Sequence, residues 1–241
     1  MKNVFLSGLF FFLALAAVPA QTADEIIAKH IEATGGKAWN GIKAMKSEAK
    51  ISAQAAPGME IPMTMTVVNN KAARIDVTVM GMTQSSGING DAGWANNPFM
   101  GKNEAEPLTA DQVNEMKYMT DLSGSLYNYQ EKGYKVEYVG KEDVDGTEAH
   151  KIKVEFNANK TEYKLIDPET WYEIKTISVS KVDGQEVQSE SMFSNFKKVG
   201  DLMLPHTIEQ NSAMMGSSVI TITSLVLNPE IDEKIFDMPA K

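Results

Sequence analysis

The feature that most constrains this chain is a two-residue alternation of apolar and polar side chains. Between positions 59 and 67 the odd residues are Met, Ile or Val, and the even residues are Glu, Pro or Thr. The same rhythm recurs over 74–79, 134–138, 151–156 and 162–165. Because successive side chains of a strand point to opposite faces, this pattern predicts strands with one apolar and one polar face.

Turn signals separate these segments. Asn69-Asn70-Lys71 suits a tight reversal, and Asp145-Gly146 and Asp183-Gly184 are typical of two-residue hairpin turns. Asp167-Pro168 favours the start of another turn. Two last strands are predicted over 204–210 and 218–227.

Two helices are predicted from capping boxes, in which a Thr side chain and an acidic or amide side chain three residues later cap each other. Thr22 and Glu25 begin the first helix, and Gly35-Gly36 ends it. Thr109 and Gln112 begin a second helix over about 110–119, with a resumption through Leu126 and Tyr129 left open. A short helical turn is expected around 39–42.

These elements restrict the fold class to mainly β (α+β). Strands with a polar face cannot form a sheet buried on both sides, so their apolar face must curl or stack to leave water. One solution is a single curved antiparallel sheet, an open half-barrel covered by a few helices, which encloses a cavity. The other is a closed barrel or sandwich filled by its own side chains. No linker divides residues 21–241, so a single domain is predicted.

The amino terminus indicates export. A basic start, an apolar run and a small-residue exit over residues 1–20 predict a cleavable signal peptide, cut after Ala20. The chain has no cysteine, so we expect neither disulfides nor an amino-terminal lipid anchor. The formal net charge of −9 disfavours nucleic acid as a partner. The expectation is a periplasmic monomer that is not membrane-anchored.

Five methionines fall between positions 59 and 82; three of them lie on the apolar strand face, and Met80 and Met82 stand in the opposite phase from Ile75, Val77 and Val79. Methionine surfaces adapt to ligands of variable shape, but methionine also fills ordinary cores, and both readings stay open. Gly81 marks a bulge, or Met80 and Met82 face elsewhere. The predicted ligand-binding lining comprises Met59, Ile61, Met63, Met65, Val67, Ile75, Val77 and Val79, with Ile220 and Ile222 as a far wall and Trp94, Phe99 and Met100 at the mouth.

The sequence contains no recognisable motif for catalysis, metal binding or cofactor binding. The three histidines lie in different elements without metal-ligand spacing, and no nucleophile elbow, phosphate loop or dinucleotide fingerprint occurs. We therefore predict no metal, no cofactor, no catalytic residue and no enzymatic activity. Arg74, the only arginine, is a candidate lid latch, because its planar fork suits backbone carbonyls or a carboxylate of a covering loop; a plain surface contact is the alternative.

The chain resembles the LolA-type outer-membrane lipoprotein-sorting family. The similar stretches are ADEIIAKHIEATGGKAWNGIKAMKS, INGDAGWANNP, GYKVEYVGKEDVDGTEAHKIKV, LIDPETWYEIK, FSNFKKVGDLMLPHTIE and IDEKIFDMP. The resemblance implies an eleven-stranded half-barrel with a helical lid over an apolar cavity.

This resemblance also implies a function. It is the carriage of acylated lipoproteins or lipids from an inner-membrane transporter to an outer-membrane acceptor. Because related proteins of the same fold serve as periplasmic sensors, the alternative is a regulatory module that binds a protein partner or a lipid signal.

Overall fold

The computed structural model of the protein describes residues 22–182, 185–212 and 216–240. The predicted signal peptide with its cleavage site, and the predicted turn at Asp183-Gly184, lie outside these residues.

Both predicted helices are present with their capping boxes. Helix α1 spans Ala23–Thr34, is capped by Thr22, and ends at Gly35, whose φ of 135° favours glycine. Helix α2 spans Ala110–Lys117 and is capped by Thr109. The chain forms turns over 122–133, so helix α2 does not resume there. Short 3₁₀ helices cover Gly36–Gly41, Pro98–Met100, Tyr118–Thr120 and Glu233–Phe236.

The described strands number fifteen, and thirteen of them form one sheet. Strands β12 and β13 form a separate two-stranded sheet. The strands are β1 Ala44–Ala53, β2 Ile61–Val68, β3 Ala72–Val79, β4 Met82–Asn89, β5 Ala92–Asn97, β6 Lys102–Pro107, β7 Lys135–Val144, β8 Thr147–Asn157, β9 Lys160–Ile166, β10 Glu173–Val182, β11 Gln185–Ser194, β12 Lys197–Val199, β13 Leu202–Leu204, β14 Thr207–Ser212 and β15 Gly216–Leu227.

The large sheet is antiparallel, in the order β6-β5-β4-β3-β2-β1-β15-β14-β11-β10-β9-β8-β7. Strands β6 and β7 are its two edges and do not pair with each other, so the curved sheet stays open. This confirms the predicted fold class, although the sheet has thirteen strands and not the eleven that the resemblance implied.

Both helices cover the same face of this sheet, which we call the inner face. Ile26 and Ile27 of α1 pack on Ile152 and Val154, whereas Val113 of α2 packs on the β2–β4 region. Directly paired residues share a face, and the pairing register connects these two clusters across the sheet. Burying Ile26 and Ile27 stabilises the fold by about 1.5–3 kcal/mol for each side chain.

The β3–β4 connection resolves the question about Gly81. Val79 pairs with Met82, and Met80 and Gly81 form the two-residue turn between them, with φ values of 51° and 80°. Two residues with positive φ are typical of the tight hairpin turn that matches strand twist. Gly81 is therefore not a bulge, and Met80 projects from the hairpin tip with 82% of its surface exposed.

Candidate functional site

The inner face carries a continuous apolar surface over four neighbouring strands, β15, β1, β2 and β3. One cross-strand row joins Ile220, Ile51 and Ile61, and the next joins Ile222, Ala49, Met63 and Val77. We call this surface the apolar patch; its members are Ala49, Ile51, Ile61, Met63, Met65, Ile75, Val77, Val79, Ile220 and Ile222.

Most of the predicted lining residues come together in this patch. The residues predicted on β2 and β3 face the same side, and Ile220 and Ile222 of β15 join them across β1. All members except Ala49 are only partly buried, so apolar surface is left uncovered. Val67 belongs to the same face but is fully buried beneath α2, and Met59 lies in the loop before β2.

The three predicted mouth residues lie elsewhere. Trp94 is paired with Gly87, which places it on the outer face, the side of the sheet opposite to the helices. There it is buried, and its indole Nε1 donates to the carbonyl oxygen of Phe236 at 2.8 Å. Phe99 and Met100 are exposed in the short helix after β5. The structure therefore does not bring Trp94 to the apolar patch.

Arg74 is also on the outer face. Its Nε and Nη2 donate to the carboxylate of Asp76, and its Nη1 donates to the carbonyl oxygen of Ile235 at 2.9 Å. The guanidinium also lies 5.4 Å from the ring of Trp94. Arg74 thus fastens the carboxyl-terminal turn to β3, and it does not contact α2 on the inner face.

Helix α2 is instead fastened by a cluster around Tyr118 that the sequence did not reveal. The Tyr118 hydroxyl accepts from Asn157 at 2.9 Å, and its ring meets Phe156 edge-on at 5.1 Å between centroids. Lys160 lies 4.1 Å from the Tyr118 ring and donates to Glu115 at 2.9 Å. We call Tyr118, Phe156, Asn157 and Lys160 the α2 latch. Because α2 also packs on Val67, it bridges the β2 side and the β8–β9 side of the inner face.

A second region of the inner face is polar. On β9, β10 and β11, cross-strand pairs join Lys164 to Thr176 and Glu162 to Ser178, and these continue to serines of β11. We call Glu162, Lys164, Thr176, Ser178, Ser189 and Ser191 the polar patch.

Lys164 is the centre of this polar patch. Its Nζ lies 3.1 Å from Glu173 and 3.2 Å from Glu162. Burial opposes its charge, but Glu173 and then Glu162 outweigh burial and raise the pKa of Lys164. Two carboxylates surround one ammonium, so the cluster carries a net negative charge.

No group of three or more His, Asp or Glu side chains is placed to hold a metal ion within residues 22–182, 185–212 and 216–240. Over the same residues, no helix has the length and apolar character needed to cross a membrane.

No protein-family model matches the sequence, and no curated protein matches it either. Solved structures do match. A LolA superfamily protein from Nitrosomonas europaea superposes with a TM-score of 0.58 at 15% identity, over 90% of this chain and 98% of that chain. A putative outer-membrane lipoprotein-sorting domain from Vibrio parahaemolyticus gives 0.57 at 13% identity, over 88% and 95%. A DUF1329 family protein from Desulfovibrio piger gives 0.59 at 12% identity, over 90% and 98%.

The chain has the LolA-type fold. The predicted resemblance is thereby confirmed at the level of the fold. In this LolA-type fold, the inner face beneath α1 and α2 holds the candidate site, with the apolar patch on one side and the polar patch on the other.

Proposed function

We propose that the protein is a periplasmic carrier that binds the acyl chains of lipoproteins or lipids on its apolar patch for sorting to the outer membrane. Export is supported by the signal-peptide pattern over residues 1–20. The proposal implies a donor at the inner membrane and an acceptor at the outer membrane.

One observation carries this proposal. Ten residues on four adjacent strands form an uncharged surface on the inner face, and nine of them are only partly buried. Each fully buried methylene contributes about 0.8 kcal/mol, so roughly 6 kcal/mol is the upper bound for eight methylenes laid on the patch. The flexible side chains of Met63 and Met65 suit chains that enter and leave.

The first test is the native cargo. Protein isolated from the periplasm should carry extractable lipid or acylated peptide in native mass spectrometry. A bare chain mass, together with no fluorescence gain from an apolar dye such as N-phenyl-1-naphthylamine, would contradict the carrier. Recovery of one stoichiometric envelope protein without lipid would favour a regulatory module of the same fold.

The second test addresses the apolar patch itself. The double variant Met63→Glu with Met65→Glu places two charges on the patch and should abolish dye binding while the far-ultraviolet circular dichroism is kept. Val226→Glu is the matched control, because Val226 pairs with Lys46 on the outer face and is 47% exposed. Dye binding that survives the double variant would show that acyl chains lie elsewhere.

A further inference from the structure

A cavity of about 280 Å³ lies beneath the end of α1, beside the apolar patch. Its apolar walls include Trp39, Phe193, Phe196 and Met203. Phe193 faces the same side as Ile208 and Ile220 through cross-strand pairing, so the cavity continues into the apolar patch. The cavity is therefore within reach of one end of an acyl chain that lies on the patch.

His30 supplies the first polar group of the cavity. Its Nδ1 lies 2.9 Å from the carbonyl oxygen of Trp171. A carbonyl only accepts, so Nδ1 carries the proton and Nε2 is left as an acceptor. Over the described part of the chain, Nε2 has no hydrogen-bond partner. Burial lowers the pKa of His30, which keeps the ring neutral at pH 7.

Glu173 supplies the second polar group. Its carboxylate lines the cavity and accepts from Lys164 and Thr176. A carboxylate offers about four lone-pair sites, so accepting capacity remains. Lys164 is shared with Glu162, which leaves one negative charge uncompensated. The cavity's two hydroxyls donate elsewhere, from Thr34 to the His30 carbonyl and from Ser123 to Asp121.

We propose that this cavity binds the primary ammonium head of an amphiphile whose apolar tail lies on the apolar patch. The inference rests on the proposed function and specifies the ligand class. A carboxylate with excess charge attracts a cation, and Nε2 of His30 accepts a hydrogen bond from one of the ammonium N–H groups. An anionic head would meet Glu173 and be repelled.

The test compares three amphiphiles with the same tail. Dodecylamine, dodecanol and dodecanoate displace N-phenyl-1-naphthylamine from the full chain at pH 7.5. Dodecylamine should bind most tightly, at least about tenfold more tightly than dodecanoate, with dodecanol between them. Equal affinities would overturn the ammonium site and leave the carrier intact. Displacement by none of the three would contradict the carrier, and the inference would fall with it.

A matched pair of variants tests whether Glu173 causes the preference for dodecylamine. Glu173→Gln and Glu162→Gln each leave Lys164 with one carboxylate, but only Glu173 lines the cavity. Glu173→Gln should abolish the preference for dodecylamine over dodecanoate, because it removes the carboxylate that lines the cavity. Glu162→Gln removes one charge of the same network but keeps the Glu173 carboxylate in the cavity, so it should weaken the preference clearly less than Glu173→Gln does. If both variants lose it equally, the effect comes from the net charge of the network and the assigned site is overturned.

Discussion

The apolar patch and the polar patch lie on the same face of one sheet, but they differ in whether their side chains find partners within the fold. In the polar patch, ion pairs within the fold join Lys164 to Glu162 and to the adjacent Glu173. The apolar patch has no such internal partner and keeps side chains such as Met63 and Ile222 partly exposed. A surface satisfied by its own residues stabilises the fold, whereas uncovered apolar surface is left for a ligand. The inner face therefore combines a region held by its own ion pairs, with Glu173 at the cavity beside it, and an apolar region that is left for a ligand.

The largest expected effect concerns the polar patch. Lys164→Met would leave Glu162 and Glu173 buried together without their cation, and we expect the free energy of unfolding to fall by about 3 kcal/mol. Denaturant unfolding at pH 7 measures this loss.

The apolar patch provides the control for this experiment. Met65→Leu conserves volume and should cost less than about 1.5 kcal/mol. A comparable fall in the free energy of unfolding in the two variants would mean that both patches stabilise the fold equally, and it would contradict the difference between them.

The second-largest loss of stability is expected at α2, which bridges the β2 side and the β8–β9 side of the inner face. Tyr118→Ala removes the ring contact with Phe156 and the hydrogen bond with Asn157, and we expect a local loss of about 2 kcal/mol. Amide hydrogens of α2 should then exchange roughly thirtyfold faster, since 1.4 kcal/mol is a factor of ten.

The control for the α2 latch is Lys102→Ala, which removes only an exposed ion pair with Glu106. It should leave hydrogen exchange in α2 unchanged. Unchanged exchange in Tyr118→Ala would mean that α2 is held by its contacts with the β2 side alone.

The smallest expected effect is a pH dependence of stability that arises from His30, beside the polar patch. Burial lowers the folded-state pKa of His30 below its unfolded value of about 6.5, against the opposing influence of Glu173. Its stabilising contribution is therefore fully present above that unfolded value and is lost as the pH falls through the folded pKa.

Denaturant unfolding at pH 7.5 and pH 5 measures this dependence. The stability of the wild type should fall more than that of His30→Gln, because the glutamine amide does not take up a proton between these pH values. His150, whose pKa is lowered by burial and by Lys141 and Lys29, leaves a residual slope in both proteins. An equal fall in stability between pH 7.5 and pH 5 in the two proteins would show that protonation of His30 does not contribute to the pH dependence.

Local sequence signals predicted the helices and many of the strands. The capping boxes at Thr22 and Thr109 begin α1 and α2, because a capping box needs only residues within one helical turn. The alternation in β2, β3, β8 and β9 was also predicted, because it depends only on the two-residue strand period.

Strand β4 and the placement of Trp94 were not predicted. The run from Thr83 to Gly87 has no apolar alternation, and β4 forms because β3 and β5 pair with it on both sides. Gly87 leaves the space that Trp94 fills, since a Cβ there would lie 2.9 Å from the indole Nε1. This contact exists only after β4 and β5 pair.

The sequence by itself determined the period of the strands, the helix caps and the absence of recognisable catalytic motifs, because each depends on residues close together in the chain. Only the tertiary structure decided which alternating faces join. Ile222 and Val226 are both even-numbered, yet a register shift at Thr223 places Ile222 on the inner face and Val226 on the outer face. The apolar patch, the α2 latch and the cavity beside Glu173 all depend on such pairings between distant residues, which the local pattern does not contain.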